Sequence, residues 1–157
     1  MDNLSYASAT ALARAIRNKE VSSEEVVNAH VQRIEAVNPR LNAVVQVVAA
    51  QARAQAREAD AALARGTVYG PLHGVPMTIK DNLDTAGVIS TGGTTGRTTF
   101  VPTHDATVVA RLRTAGAILL GKTNTPELTL AYETDNLIYG RGICSAARCS
   151  PSWRRMM

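Results

Sequence analysis

Gly70-Pro71-Leu72-His73-Gly74-Val75-Pro76-Met77-Thr78-Ile79-Lys80-Asp81-Asn82 is the stretch on which the reading of this chain turns. Two glycines and two prolines in its first seven residues demand an ordered loop with special backbone angles. The apolar run 75–79 then predicts a buried strand ending at Lys80-Asp81. Residues 82–103, rich in Gly and Thr, read as loop. Asp105 can cap a helix carrying Val108, Val109 and Leu112, Ala115-Gly116 ends it, and residues 117–120 make a second short buried strand. Strand, helix and strand at this spacing form a βαβ unit, so the sheet is at least partly parallel.

Working outward, the first 65 residues read as helical. Ser8 can cap a helix in which Leu12, Ala15 and Ile16 share one face. Ser22-Ser23-Glu24-Glu25 offers a capping box, with Val26, Val27, Val31, Ile34 and Val37 following at helical steps. Asn38-Pro39 should stop that helix, because proline disfavours helical geometry in the residue before it. Residues 41–48 are β-branched and read as a short strand. Residues 49–65 are alanine-rich, with high helix propensity, and Gly66 is a natural stop. Downstream, Thr125-Pro126-Glu127 has the order of a helix start: cap, proline, acid.

At 157 residues and 45% hydrophobic the chain has material for one ordinary domain, and its charged fraction of 19% is not that of a disordered chain. No apolar stretch is long enough to span a membrane, and MDNLSYASAT lacks the basic and apolar regions of a secretory signal, so a cytoplasmic location is expected. The net charge of +4 is unevenly placed. Residues 1–140 hold 13 Lys/Arg and 13 Asp/Glu, whereas residues 141–157 hold Arg141, Arg148, Arg154 and Arg155 and no acid. The basic character belongs to a tail, and it does not mark the chain as a nucleic-acid binder.

Two patterns compete for a chemical reading. Gly116-Ala117-Ile118-Leu119-Leu120-Gly121-Lys122-Thr123 matches the phosphate-loop motif letter for letter, which would make the chain a nucleotide-binding module. That loop needs a strand before it and a helix after it. Here a helix precedes, the variable residues are strand-like, and Asn124-Thr125-Pro126 interrupts any helix that follows, so the match reads instead as a buried strand with residues 121–124 as its exit loop. The second pattern is Lys80. A lysine at a buried strand end has its charged form penalised, and a neutral lysine can take a proton from a hydroxyl nucleophile. The alternative is a snorkelling side chain whose ammonium pairs with Asp81 or Asp84.

The block from Gly70 to Asn82 strongly resembles the lysine block of the amidase signature family. The resemblance continues through Asp105-Ala106-Thr107-Val108-Val109, through Leu112-Arg113-Thr114-Ala115-Gly116-Ala117, and into Gly121-Lys122-Thr123-Asn124-Thr125-Pro126-Glu127, covering about residues 5–141. It implies an α/β fold: the N-terminal part of an α/β/α sandwich, with helices followed by a βαβ unit of a mixed sheet. It also implies a Ser–cis-Ser–Lys mechanism acting on a small-molecule amide, without cofactor or metal. One serine attacks the carbonyl, a second relays the proton, and the lysine is the base. Lys80 stands at the lysine position, and Lys122 reads as structural.

The family's two serines lie in and just beyond a Gly/Ser-rich segment, and no Gly-Gly-Ser-Ser-Gly-Gly occurs in this sequence. After Arg141 the family pattern is lost. Ser145, Ser150 and Ser152 match no family motif and receive no role. The chain is therefore expected to be a truncated amidase-signature domain over 1–141, inactive alone, with an unrelated basic tail over 142–157 that reads as out-of-frame translation or as an isoform. A non-catalytic interaction fragment is the third reading. Cys144 and Cys149 make at most half a metal site. His73 reads as a locally bonded loop residue, and His30 and His104 stand too far apart in the chain to suggest a metal triad.

Overall fold

The computed structural model describes residues 4–143. A single 3₁₀ turn at Leu4–Tyr6 leads into α1 (Ala9–Arg17), and Ser8 caps it by accepting from the Ala11 N–H at 3.2 Å. Helix α2 (Ser23–Leu41) opens on the expected capping box: Glu25 N–H donates to Ser22 Oγ at 3.0 Å, and Ser22 N–H donates to Glu25 Oε2 at 2.7 Å. Asp60 adds a cap from outside the helix, accepting from the backbone N–H groups of Ser23 and Glu24 at 2.7 and 3.0 Å. The bonds from Ser22 hold the Glu25 carboxyl below its usual pKa.

Pro39 does not stop α2. The helix runs two residues further and ends at Asn42, which is left-handed at φ 49°. The Asn38 side chain bridges the helix end: it accepts from Ala43 and Val44 N–H at 2.9 and 2.8 Å and donates to the Val44 carbonyl at 2.8 Å. These bonds serve backbone groups of residues 43 and 44, just beyond the helix, and tie its last turn to the start of the following strand.

Strand β1 (Val44–Val47), helix α3 (Ala49–Ala64), strand β2 (Pro76–Lys80), helix α4 (Thr107–Thr114) and strand β3 (Ile118–Thr123) follow. The sheet order is β1-β3-β2, with β2 parallel to β3 and β1 antiparallel to it. The βαβ unit is therefore present in a mixed sheet. One face of β3 carries Ile118 and Leu120 against Val27 and Val31 of α2 and the alanine stripe Ala52, Ala56 and Ala59 of α3. Small side chains let α3 approach closely there. The other face carries Leu119 with Ile79, Val88 and Val109. A third cluster joins Leu12, Ala13, Ile16, Val26 and Val75.

Two predicted helix starts are corrected. Asp105 is not a cap: the residue before α4 is Ala106, and no side chain caps that helix. The Asp105 carboxylate instead accepts from the distant Ala86 N–H at 2.7 Å, which the local pattern does not contain, and pairs with Arg113 in the last turn of α4 at 3.0 Å. Val109 is buried, but Val108 is 46% exposed. Thr125-Pro126-Glu127 starts only a 3₁₀ turn, Glu127–Thr129, because Leu128 and Thr129 take positive φ values of 48° and 63° and cannot continue a right-handed helix. Leu128 N–H donates to the Gly92 carbonyl at 2.8 Å, so the segment is tied to the Gly/Thr loop.

Asn42, Asn124 and Asn136 then fasten the last described residues to the sheet. Asn124 Nδ2 donates to the carbonyls of Asn42 and Gly140 at 3.2 and 3.1 Å, and Asn136 Nδ2 donates to Asn124 Oδ1 at 2.8 Å. Gly142 N–H reaches the Thr134 carbonyl and Ile143 N–H the Leu41 carbonyl, at 2.8 and 2.7 Å. The rest of the basic tail, with Cys144, Cys149 and Ser145, Ser150 and Ser152, lies outside the described residues. Among the described residues no helix is long and apolar enough to cross a membrane.

Candidate active site

Strands β2 and β3 run side by side, and their paired ends bring Lys80 opposite Thr123. The carboxyl ends of parallel strands are where α/β folds place their sites. Lys80 is half-buried. Its neighbours on the same strand alternate, with Ile79 buried in the α4 side of the core and Thr78 exposed. The snorkelling alternative is not realised: Asp84 pairs with Arg97, and Asp81 is fully buried with its Oδ2 accepting from both the N–H (3.1 Å) and the Oγ1 of Thr91. No hydrogen-bonding or ionic partner holds the Lys80 ammonium among the described residues.

The burial expected at Lys80 is found at Lys122. Its side chain is completely buried, and Nζ donates to the Leu83 carbonyl at 2.6 Å and to Ser90 Oγ at 2.7 Å. Desolvation lowers its pKa to about 8, against the opposing pull of Asp81 and Asp84. The sequence pattern puts Lys122 in an exit loop, whereas residues 121–123 belong to β3. Its direction comes from a bulge. Met77 pairs with Leu119 and Thr78 with Gly121, so Leu120 is an extra residue on β3. Strict alternation would put residue 122 on the same face as Ile118 and Leu120, among the alanines of α3. The bulge inverts the alternation and delivers Lys122 to the face of Leu119 and Ile79.

Each fixed glycine of the phosphate-loop pattern thus has a structural reason. Gly116 is left-handed at φ 92°, terminating α4, and a Cβ there would meet the His73 backbone at 2.8 Å. Gly121 lies where β1 crosses so close that a Cβ would sit 2.2 Å from the Gln46 carbonyl oxygen. Residues 118–123 are extended along β2, and residues 121–123 also pair with β1, so their backbone groups serve the sheet.

His73 is buried in the loop before β2. Tyr69 N–H donates to its Nδ1 at 3.1 Å, which leaves the proton on Nε2 to donate to the Ala59 carbonyl at 3.1 Å. It joins this loop to α3, as a locally bonded residue. His30 bonds the Val26 carbonyl one turn back, and His104 bonds Thr103. Among the described residues no three His, Cys, Asp or Glu side chains gather as metal ligands. A cleft of about 880 Å³ lies beside Thr123 and Asn124, walled also by Tyr132 and Arg141, and Lys80 is not in its wall. The residues that the sequence did not single out are Ser90 and Thr91, whose partners are set by the folding of the loop onto β3.

Comparison with known proteins places these elements. The family model described as Amidase matches residues 25–148. A glutamyl-tRNA(Gln) amidotransferase chain from Moorella thermoacetica is 47% identical over 133 residues, covering 85% of this chain and 27% of that protein. The indoleacetamide hydrolase of Bradyrhizobium diazoefficiens is 45% identical, covering 85% of this chain and 25% of that protein. The solved structure of a fatty acid amide hydrolase superposes with a TM-score of 0.84 at 26% identity, covering 88% of this chain and 25% of that one. The chain spans about a quarter of the length of the relatives it matches. On these matches, and on a mixed sheet that carries the lysine block at the end of β2, the chain belongs to the amidase family.

Proposed function

We propose that this chain supplies the lysine of an amide-hydrolysing site, with Lys80 as the general base of a Ser–cis-Ser–Lys mechanism. The observation that carries the reading is the position of Lys80: it ends β2 inside the family's lysine block, and neither Asp81, whose Oδ2 is bonded to Thr91, nor Asp84, which pairs with Arg97, forms an ion pair with it. A serine would attack the amide carbonyl, and its proton would pass through a second serine to Lys80. The same proton would then go to the departing amine, and water would release the acyl group. The chain does not contain the Gly/Ser-rich segment in and just beyond which the family's two serines lie. A base without a nucleophile forms no acyl-enzyme, so the chain alone is read as inactive. The substrate class is a small-molecule carboxamide.

The test is complementation. The chain is co-expressed with a polypeptide carrying the remaining part of an amidase, and hydrolysis of a carboxamide panel is followed by ammonia release. The expected result is activity that Lys80→Ala lowers by about a hundredfold or more. Activity that survives Lys80→Ala would remove the assignment.

A further inference from the structure

The loop that leaves β2 at Lys80 is held by an arrangement that base chemistry at Lys80 does not itself require. Asp81 N–H donates to the Thr123 carbonyl at 2.9 Å, and Leu83 N–H donates back to the Lys80 carbonyl at 3.0 Å. Asp81 Oδ2 holds Thr91 through its N–H and its hydroxyl. Between these ties sits Lys122. One bond from Nζ goes to Leu83, on the outgoing limb of the loop, and the other to Ser90, on the returning limb. Ser90 Oγ in turn donates to the Val88 carbonyl at 3.1 Å and accepts from Thr85 N–H at 3.3 Å. A single ammonium therefore joins both limbs to β3, at the register of Ile79, one residue before Lys80.

Burying a cation is costly, and an apolar side chain of similar length would fill the same space at less cost. What such a side chain could not do is hold a carbonyl and a hydroxyl from two limbs of one loop. Charge-assisted hydrogen bonds of this kind are about twice as strong as neutral ones. The charged groups that act on Lys122 are Asp81 and Asp84, which favour the ammonium, and Arg97 and Arg113, which oppose it.

We infer that Lys122 is a positioning residue for Lys80: by locking both limbs of the 81–91 loop to β3, it fixes the main chain from which the Lys80 side chain projects. This rests on the reading of Lys80 given above.

Hydrogen exchange of the full chain tests the lock, and the side-chain resonances of lysine labelled with ¹³C at Cε test the positioning. The chain has three lysines, Lys19, Lys80 and Lys122, and exposed Lys19 is an internal reference. Lys122→Met is expected to raise exchange in residues 83–91 by about tenfold or more, to leave α2 and α3 unchanged, and to move the Lys80 resonance toward that of Lys19. Ser90→Ala removes one acceptor while keeping the cation, and is expected to act in the same direction. Should Lys122→Met lower protection throughout the chain, Ser90→Ala decides. Unchanged loop exchange overturns the lock, and faster loop exchange with an unmoved Lys80 resonance overturns the positioning role. Neither measurement needs catalysis, so its failure is separate from a failure of the complementation test.

Discussion

Lys80 and Thr123 face each other as the final register pair of the two parallel strands, and the backbone of Thr123 also receives the N–H of Asp81 at 2.9 Å. The candidate base is thus fixed by the strand on one side and by the first residue of its loop on the other. Glycine at position 121, the buried cation at 122 and the asparagine network at 124 surround that pair, and each can be perturbed separately.

Gly121 sits where a Cβ would come within 2.2 Å of the Gln46 carbonyl oxygen and 3.0 Å of Val44 Cγ1. The first obstacle is backbone, which cannot rotate away. Gly121→Ala must push β1 off β3, and is expected to cost about 2 kcal/mol or more. Thermal denaturation followed by circular dichroism measures this. A midpoint equal to that of the parent chain would show that β1 can shift freely.

Lys122 has a folded-state pKa of about 8 and an ordinary value of 10.5. Between these values the unfolded chain binds more protons than the folded one, so the Lys122 contribution makes stability rise with pH across that window. The slope is at most about 1.4 kcal/mol per pH unit. Below pH 8 both states are protonated and this contribution is flat. Urea denaturation at a series of pH values spanning that window should show the rise in the parent chain and its loss in Lys122→Met. An equal slope in both would assign the pH dependence to other groups.

The chain alone should not be labelled on serine by a fluorophosphonate probe, because its sequence holds no Gly-Gly-Ser-Ser-Gly-Gly segment. Removing one member of a cooperating catalytic set already costs most of the rate. Intact-mass spectrometry after incubation reads the result, and stoichiometric labelling of any serine here would contradict it.

Among the described residues both outer strands, β1 and β2, have an open edge, and Leu130, Tyr132 and Leu137 are almost wholly exposed after β3. Unpaired edges and exposed apolar surface favour association. The isolated chain is expected to elute as oligomers or aggregates, and Leu130→Ser with Leu137→Ser should shift light-scattering mass downward. A monomer with a cooperative melt would count against this.

The sequence by itself determined those features whose causes are local. Ser8 and the Ser22–Glu25 box marked helix starts, because a cap is made within one turn. The apolar runs marked β2 and β3, and the helix between them required parallel pairing. The lysine block marked the family, and Lys80 was legible as a candidate site residue from its motif alone. The tertiary structure decided what depends on distant partners. Asp105 spends its carboxylate on Ala86 N–H and on the Arg113 side chain near the far end of α4 rather than on capping the start of that helix. Residues 125–129 turn away from a helix while bonded to the loop at Gly92. The burial expected of Lys80 falls on Lys122, since one extra residue at Leu120 inverts the face of everything after it. A bulge arises from two strands settling into register, and neither strand's sequence carries that register alone.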